Sequence, residues 1–206
     1  MNTIFRNTTM IKDMKVVLRD FEPMVKDSKH LWNGRDLSNF SARPREAWAN
    51  WLITAVLQHL HGPDITFAED KSGDGLLVDK KTMTAIPTEH VSALEIPLAP
   101  NLPNGEQRAI DATNLKIAKG ADYAEGRILV VFFDGAGWYR RDKIREAIFG
   151  RHNFQSVFYI TLIKGDKSGY EYVVTEFKDE FGDQSASFKV DINADFTDWT
   201  VEQITA

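Results

Sequence analysis

Residues 73–97, GDGLLVDKKTMTAIPTEHVSALEIP, place two apolar runs of strand composition on either side of a turn-like DKKTMT, the pattern of a β-hairpin. Asp74 on the first arm and Glu89 on the second stand at comparable distances from the turn. If Asp79 pairs with Thr84, counting back along both arms sets Asp74 directly opposite Glu89. Opposed residues of an antiparallel pair have Cβ atoms roughly 4.5–5.5 Å apart. Two carboxylates that close repel one another unless a cation, a proton or a basic side chain lies between them. The hairpin is therefore a candidate site. The alternative is a hairpin with exposed carboxylates, in which Asp79, Lys80 and Lys81 form solvated pairs worth under about 1 kcal/mol.

Upstream, Met14, Val17, Leu18, Phe21, Met24 and Val25 fall at helical spacing and predict an amphipathic helix ending before Gly34. The residues before it are polar and are expected to fray. DLSNFSARP is rich in turn formers and leads into PREAWANWLITAVLQHLHG, a stronger helix with Pro44 in its first turn and Gly62 just past its end. Glu46 lies in that first turn, where the helix dipole favours an anion. Downstream, a third helix is predicted over roughly 105–119. RILVVFFD, at 127–134, is continuously apolar and β-branched, as in a strand covered on both faces. A short basic helix over about 139–149 and a second buried strand, SVFYITLI at 156–163, complete a crossover unit with parallel strands. YEYVVTEF, SFKVDIN and FTDWTVEQI read as half-exposed strands.

These elements predict an α/β fold, a mixed central sheet flanked by helices, in one domain over 1–206. Its parts are an N-terminal helical extension (1–43), a core (44–163) and a C-terminal β extension (164–206). The chain has 206 residues and 43% hydrophobic content, enough for one sizeable core. Its 25 Lys and Arg against 30 Asp and Glu argue against coating nucleic acid through overall charge, and leave a local basic patch open. The absence of cysteine removes disulfides, thiolate catalysis and Cys-based zinc sites. No apolar run approaches the roughly 18 residues needed to span a bilayer, so the expectation is a cytoplasmic protein with no membrane partner.

A helix with an early Glu, a hairpin bearing Gly-Asp on one strand and Glu on the next, a further helix and a buried strand together resemble the PD-(D/E)xK nuclease superfamily. NLKIAKGADYAEGRILVVFFDG (114–135) also resembles its helix-to-strand passage, where a Lys-rich helix end and a Tyr precede an apolar strand. The resemblance covers about residues 44–163 and implies a restriction-endonuclease-like core. It also implies Mg2+ (or Mn2+) held by Asp74 and Glu89, with Glu46 as an optional helix carboxylate and DNA as substrate. Magnesium takes oxygen ligands, usually one or two carboxylates with water and phosphate, so such a pair suffices. Glu95 shares the strand face of Glu89 and is a substitute second ligand. Two departures stand out: Gly73 occupies the proline position, and Val91 occupies the position of the lysine that positions or activates water. A lysine or amide must then reach in from elsewhere, with Gln107, Lys116 and Lys119 as candidates, or the protein is a non-catalytic member that binds nucleic acid or a protein partner.

Arg140, Arg141, Lys143, Arg145 and Arg151, with His152, concentrate positive charge in an acidic chain. Such a segment suits a phosphate backbone, and equally a solvated helix face, because Asp142 and Glu146 are interleaved. Asp134-Gly135-Ala136-Gly137 reads as a turn after a strand, since a lone G-x-G lacks the rest of a nucleotide fingerprint. His59 and His61 read as helix-end residues and His90 as a hydrogen-bonded core histidine. No Ser-His-Asp order, P-loop lysine motif or H-E-x-x-H pattern is present.

Overall fold

The computed structural model describes residues 8–27, 31, 43–70, 73–94, 104–134, 139–181 and 185–205. Its elements in chain order are β1 (Thr8–Ile11), α1 (Met14–Lys26), α2 (Pro44–His61), β2 (Ile65–Asp70), β3 (Leu76–Asp79) and β4 (Thr84–Leu94). They continue with α3 (Gly105–Ile117), α4 (Ala121–Ala124), β5 (Ile128–Asp134), α5 (Arg141–Ile148), β6 (Ser156–Asp166), β7 (Gly169–Phe177), β8 (Ser187–Asn193) and β9 (Trp199–Thr205). Among the described residues these strands form one curled mixed sheet, ordered in space as in the chain. β4 runs parallel to β5, and β5 to β6; every other neighbouring pair is antiparallel. The expected mixed sheet, antiparallel hairpin and parallel 128–134 and 156–163 strands are all present.

The continuous apolar run of β5 is explained by cover on both faces. Ile128, Val130 and Phe132 point into one core with α1 and α2, while Leu129, Val131 and Phe133 point into a second with α3 and α5. Helix α2 is buried on almost all sides from Ala47 to Val56, which suits a helix that is apolar all round. Trp48 stacks on Trp51 at 5.0 Å, and these rings meet Tyr172 of β7 and Trp199 of β9 edge-on. The indole Nε1 of Trp51 donates to the carbonyl of Met14 at 2.8 Å, which ties α2 to the start of α1. The C-terminal strands thus continue the sheet around α2, with one face covered and the other open, as their alternation predicts.

Two strands escape the sequence reading. β2 is only six residues, ITFAED, and lies between neighbours on both sides. β1 falls in the polar stretch expected to fray, yet it pairs with β2, Thr8 opposite Asp70 and Ile11 opposite Ala68. Backbone pairing needs no apolar side chains, and Lys12 anchors the segment through a buried ion pair with Glu69 at 3.0 Å. The 28–30 and 32–42 stretches, Glu95 and Gly135 to Gly137 lie outside the described residues. Among the described residues no helix is long and apolar enough to cross a membrane.

Candidate functional site

The hairpin closes in the expected register, with Asp79 opposite Thr84 and Leu76 opposite Pro87. The Asp79 carboxylate organises the turn by accepting from the backbone N–H of Lys81 at 2.8 Å and the hydroxyl of Thr82 at 2.7 Å. The Thr82 bond first, with the two backbone N–H groups after it, holds its pKa below the usual aspartate value. Past Leu76 the two arms share one more bond, from Thr88 N to Gly75 O at 2.9 Å. There they separate, because β4 changes partner: Thr88 pairs with Ile128 and the rest of β4 follows β5. Asp74 and Glu89 flank this fork.

The fork is backed by α2. Gly75 has φ +144°, and a Cβ there would lie 2.2 Å from Asn50 Nδ2, so this close approach requires glycine. Asn50 Nδ2 donates to the carbonyl of Asp74 at 3.1 Å, and its Oδ1 is 3.2 Å from His90 Nε2. His90 Nε2 also lies 3.3 Å from the Thr88 hydroxyl, while the backbone N–H of His90 donates to Asp74 Oδ2 at 2.7 Å. Burial, then the charges of Lys116 and Arg45, push the His90 pKa down to about 3, so its imidazole is neutral across the physiological range. The histidine is hydrogen-bonded as expected, but it is half-buried at the fork and belongs to neither core.

Glu46 stands one helical turn before Asn50 on α2 and so shares its face. Its Oε2 accepts from Arg43 N at 3.2 Å, the reciprocal half of a helix-start capping box. Burial first, and the charge of Asp74 second, raise the Glu46 pKa above the usual glutamate value, against the opposing pull of Arg43 and Arg45. Glu46 and Asp74 are therefore two carboxylates within each other's field.

Glu89 points to the other face of β4, beside its partner Leu129 of the second core. Its Oε2 accepts from Lys116 Nζ at 3.1 Å and from the Tyr123 hydroxyl, and its Oε1 lies 3.4 Å from Arg127 Nη1. Lys116 Nζ also donates to the Tyr123 hydroxyl at 3.1 Å, and the Lys119 ammonium sits 4.4 Å from the Tyr123 ring centroid. Burial works against the charge on Lys116, but the bonds to Tyr123 and Glu89 outweigh it and hold its pKa above the usual lysine value. Level register along the hairpin thus does not put Asp74 and Glu89 on a common ligand. Asp74 lies in the bend before β3, where strand pairing no longer sets the side-chain direction: its carboxylate accepts from His90 N–H and its carbonyl from Asn50, while the carboxylate of Glu89 goes to α3.

Of the candidates for the missing lysine, Lys116 reaches the carboxylate, Lys119 bonds to the Tyr123 hydroxyl at 3.3 Å, and the Gln107 amide is bound to Asp111 Oδ1 at 2.7 Å near the other end of α3. The basic segment divides. Lys143 pairs with Glu146 at 2.6 Å and Arg151 donates to the carbonyl of Ala147 at 2.7 Å, whereas Arg140, Arg141 and Arg145 converge on one cavity. Among the described residues no three His, Asp or Glu side chains group closely enough to cage a metal. Comparisons with known families, curated proteins and solved structures find no match to this chain. The functional reading accordingly rests on these residues alone. Asn50, Tyr123 and Arg127 were not singled out as site residues by the sequence. For Asn50 the usable signal was its i, i+4 spacing from Glu46.

Proposed function

We propose that this chain is a Mg2+-dependent nuclease-like protein that hydrolyses phosphodiester bonds in DNA at the fork between β3 and β4. The observation that carries the proposal is that Glu46 from α2 lies in the field of Asp74 at the entry to β3, with Lys116 held on Glu89 across the neighbouring strand where β4 leaves β3 for β5. The order helix, three antiparallel strands, helix, parallel strand from Pro44 to Asp134 supports it, being the layout implied by the PD-(D/E)xK resemblance.

Glu46 and Asp74 fit a magnesium or manganese ion, since one cation offsets both the burial and the Asp74 repulsion that raise the Glu46 pKa. This shifts the ligand pair from Asp74 with Glu89 to Asp74 with Glu46. Glu89, already neutralised by Lys116 and Arg127, acts instead as the anchor of the lysine. Such an ion, when bound, polarises a phosphoryl oxygen and lowers the pKa of a bound water. Lys116, held charged beside Glu89, is the ammonium that would stand in for the lysine that Val91 replaces. Asn50 and neutral His90 hold the Asp74 backbone and side chain in place.

The test is cleavage of single- and double-stranded DNA with Mg2+ or Mn2+. Loss of metal-dependent cleavage in Asp74→Asn, Glu46→Gln and Lys116→Met, each still folded, supports the reading. One observation favours a non-catalytic member of the same fold that binds nucleic acid or a protein partner: the Lys116, Tyr123 and Arg127 donors around Glu89 are all bound to it. Intact DNA in the parent protein at every metal tested would select that second reading.

A further inference from the structure

We infer that a cavity at the start of α5 is a phosphate-binding pocket for a DNA strand, distinct from the fork. The cavity, of about 590 Å3, is lined by Arg140, Arg141, Asp142, Arg145, Phe177 and Ser185. Three arginines line it with one acid, Asp142, and Arg140 Nε also lies 3.5 Å from Glu106 Oε2, in a chain whose formal net charge is −5. Arg141 and Arg145, four residues apart, share a helix face. Arg141 is fixed: its Nη1 donates to the carbonyl of Ser185 at 2.9 Å and to the Ser187 hydroxyl at 3.0 Å, which is itself 2.7 Å from the Thr175 hydroxyl.

Ser185 adds an independent sign of a ligand. It is 4% exposed, it lines the same cavity, and its hydroxyl has no hydrogen-bond partner among the described residues. A buried hydroxyl left unpaired costs about 1–3 kcal/mol, a cost relieved by an acceptor bound in the cavity. Helix α5 also begins here with no side-chain cap on its first turn, so its N-terminal partial charge favours the same ligand sign. Planar guanidinium forks match phosphate oxygens, which accept several N–H bonds at once. The cavity is larger than one phosphate group, and the Phe177 side chain gives it an apolar wall against which a sugar fits.

This inference rests on the nucleic-acid reading of the chain and names the ligand group. Arg140 is tied to the first turn of α3, through its N–H to Glu106 Oε2 at 3.1 Å, and Lys116 lies on the last turn of that helix. Ten residues separate Glu106 from Lys116, about 15 Å of helix at 1.5 Å per residue. The pocket and Lys116 thus stand at opposite ends of α3.

The experiment titrates the full chain with inorganic phosphate, read by backbone amide NMR shifts, and with a short single-stranded oligonucleotide with and without a 5′-phosphate. Phosphate should shift the amides of 140–145 and 185–187. Arg140→Gln with Arg145→Gln should weaken phosphate binding at least tenfold without moving the melting midpoint, and Ser185→Ala should weaken it in the same direction. Tighter binding of the 5′-phosphorylated strand identifies a terminal phosphate, and equal, arginine-dependent binding of both strands an internal one. Unshifted amides at millimolar phosphate, parent-like binding by the arginine variant, or an equal response to acetate overturns the pocket. Asp74→Asn should leave phosphate binding unchanged. Binding without metal-dependent cleavage therefore removes only the nuclease reading, and cleavage without phosphate binding removes only this one.

Discussion

Lys116 reaches Glu89 across the α3–β4 interface, its Nζ 3.1 Å from Oε2, while the residue two positions after Glu89 on the same strand is Val91. The ammonium therefore comes from the packing of a helix on a sheet. Hydrogen bonds to charged groups are worth about 1.5–3 kcal/mol, so Lys116→Met should destabilise the protein by about that amount in chemical denaturation. Glu89→Gln made together with it should cost less than the two single changes added, since the pair is removed as a unit. The raised Lys116 pKa sets the pH window. Its contribution is fully present below the usual lysine value of 10.5 and is lost as pH rises through the higher folded value. A pair with additive costs would show that the contact contributes nothing.

The His90 imidazole has the opposite sign. Its pKa falls from 6.5 to about 3 on folding, so between these values the unfolded chain binds a proton that the folded chain refuses. Stability from this group is complete above pH 6.5 and is lost as pH falls, by about 1.4 kcal/mol per unit. Glu46, with its raised pKa, works against this trend at the acid end. The clean readout is the difference between the parent and His90→Gln, in which the variant loses less stability between pH 6.5 and 4.5. Parallel curves would place a charged imidazole at the fork.

At Gly75 both the backbone angle and the space forbid a side chain. Strained backbone conformations cost about 1–3 kcal/mol. Gly75→Ala should be destabilising by at least that range, and it should also displace Asn50 from the Asp74 carbonyl. An equally conservative Gly126→Ala, where a Cβ meets nothing within 4 Å, carries the backbone strain alone and should cost less. Comparing the two midpoints separates the close approach from the positive φ.

How far the sequence carries is visible at this same fork. The register from Asp79 and Thr84 was legible because the turn residues and the two arms fix it, and β5 was legible because a run covered on both faces has no polar alternation. Asp74 was legible as a hairpin carboxylate, while Glu46 and Lys116 were named as site residues only through the family resemblance. What the sequence does not contain is the point where β4 exchanges β3 for β5, since nothing in TEHVSAL marks a change of neighbour. That exchange, with Asp74 in the bend before β3, is what parts the two: Asp74 is held by Asn50 and His90, and Glu89 by Lys116, Tyr123 and Arg127. β1 was illegible for a related reason: its order comes from pairing with β2 and from the Lys12–Glu69 contact rather than from its own composition.

The pairing of Glu46 with Asp74 leads to the sharpest prediction. Because the Glu46 pKa is raised, its contribution favours the fold below the usual value of 4.5 and turns unfavourable as pH rises through the folded value. At neutral pH without metal, Glu46→Gln should therefore raise the melting midpoint; the amide oxygen still accepts from Arg43 N, so the capping contact survives. Magnesium or manganese, bound only by the folded chain, should raise the parent's midpoint, by about 2.7 kcal/mol of stability at a hundredfold excess over Kd. Asp74→Asn and Glu46→Gln should each abolish that response, whereas Glu89→Gln should keep it, because its carboxylate is committed to Lys116, Tyr123 and Arg127. A metal response lost in Glu89→Gln and kept in Glu46→Gln would return the ligand role to Glu89. No metal response in the parent would mean that the repulsion at the fork is relieved by the neighbouring arginines alone.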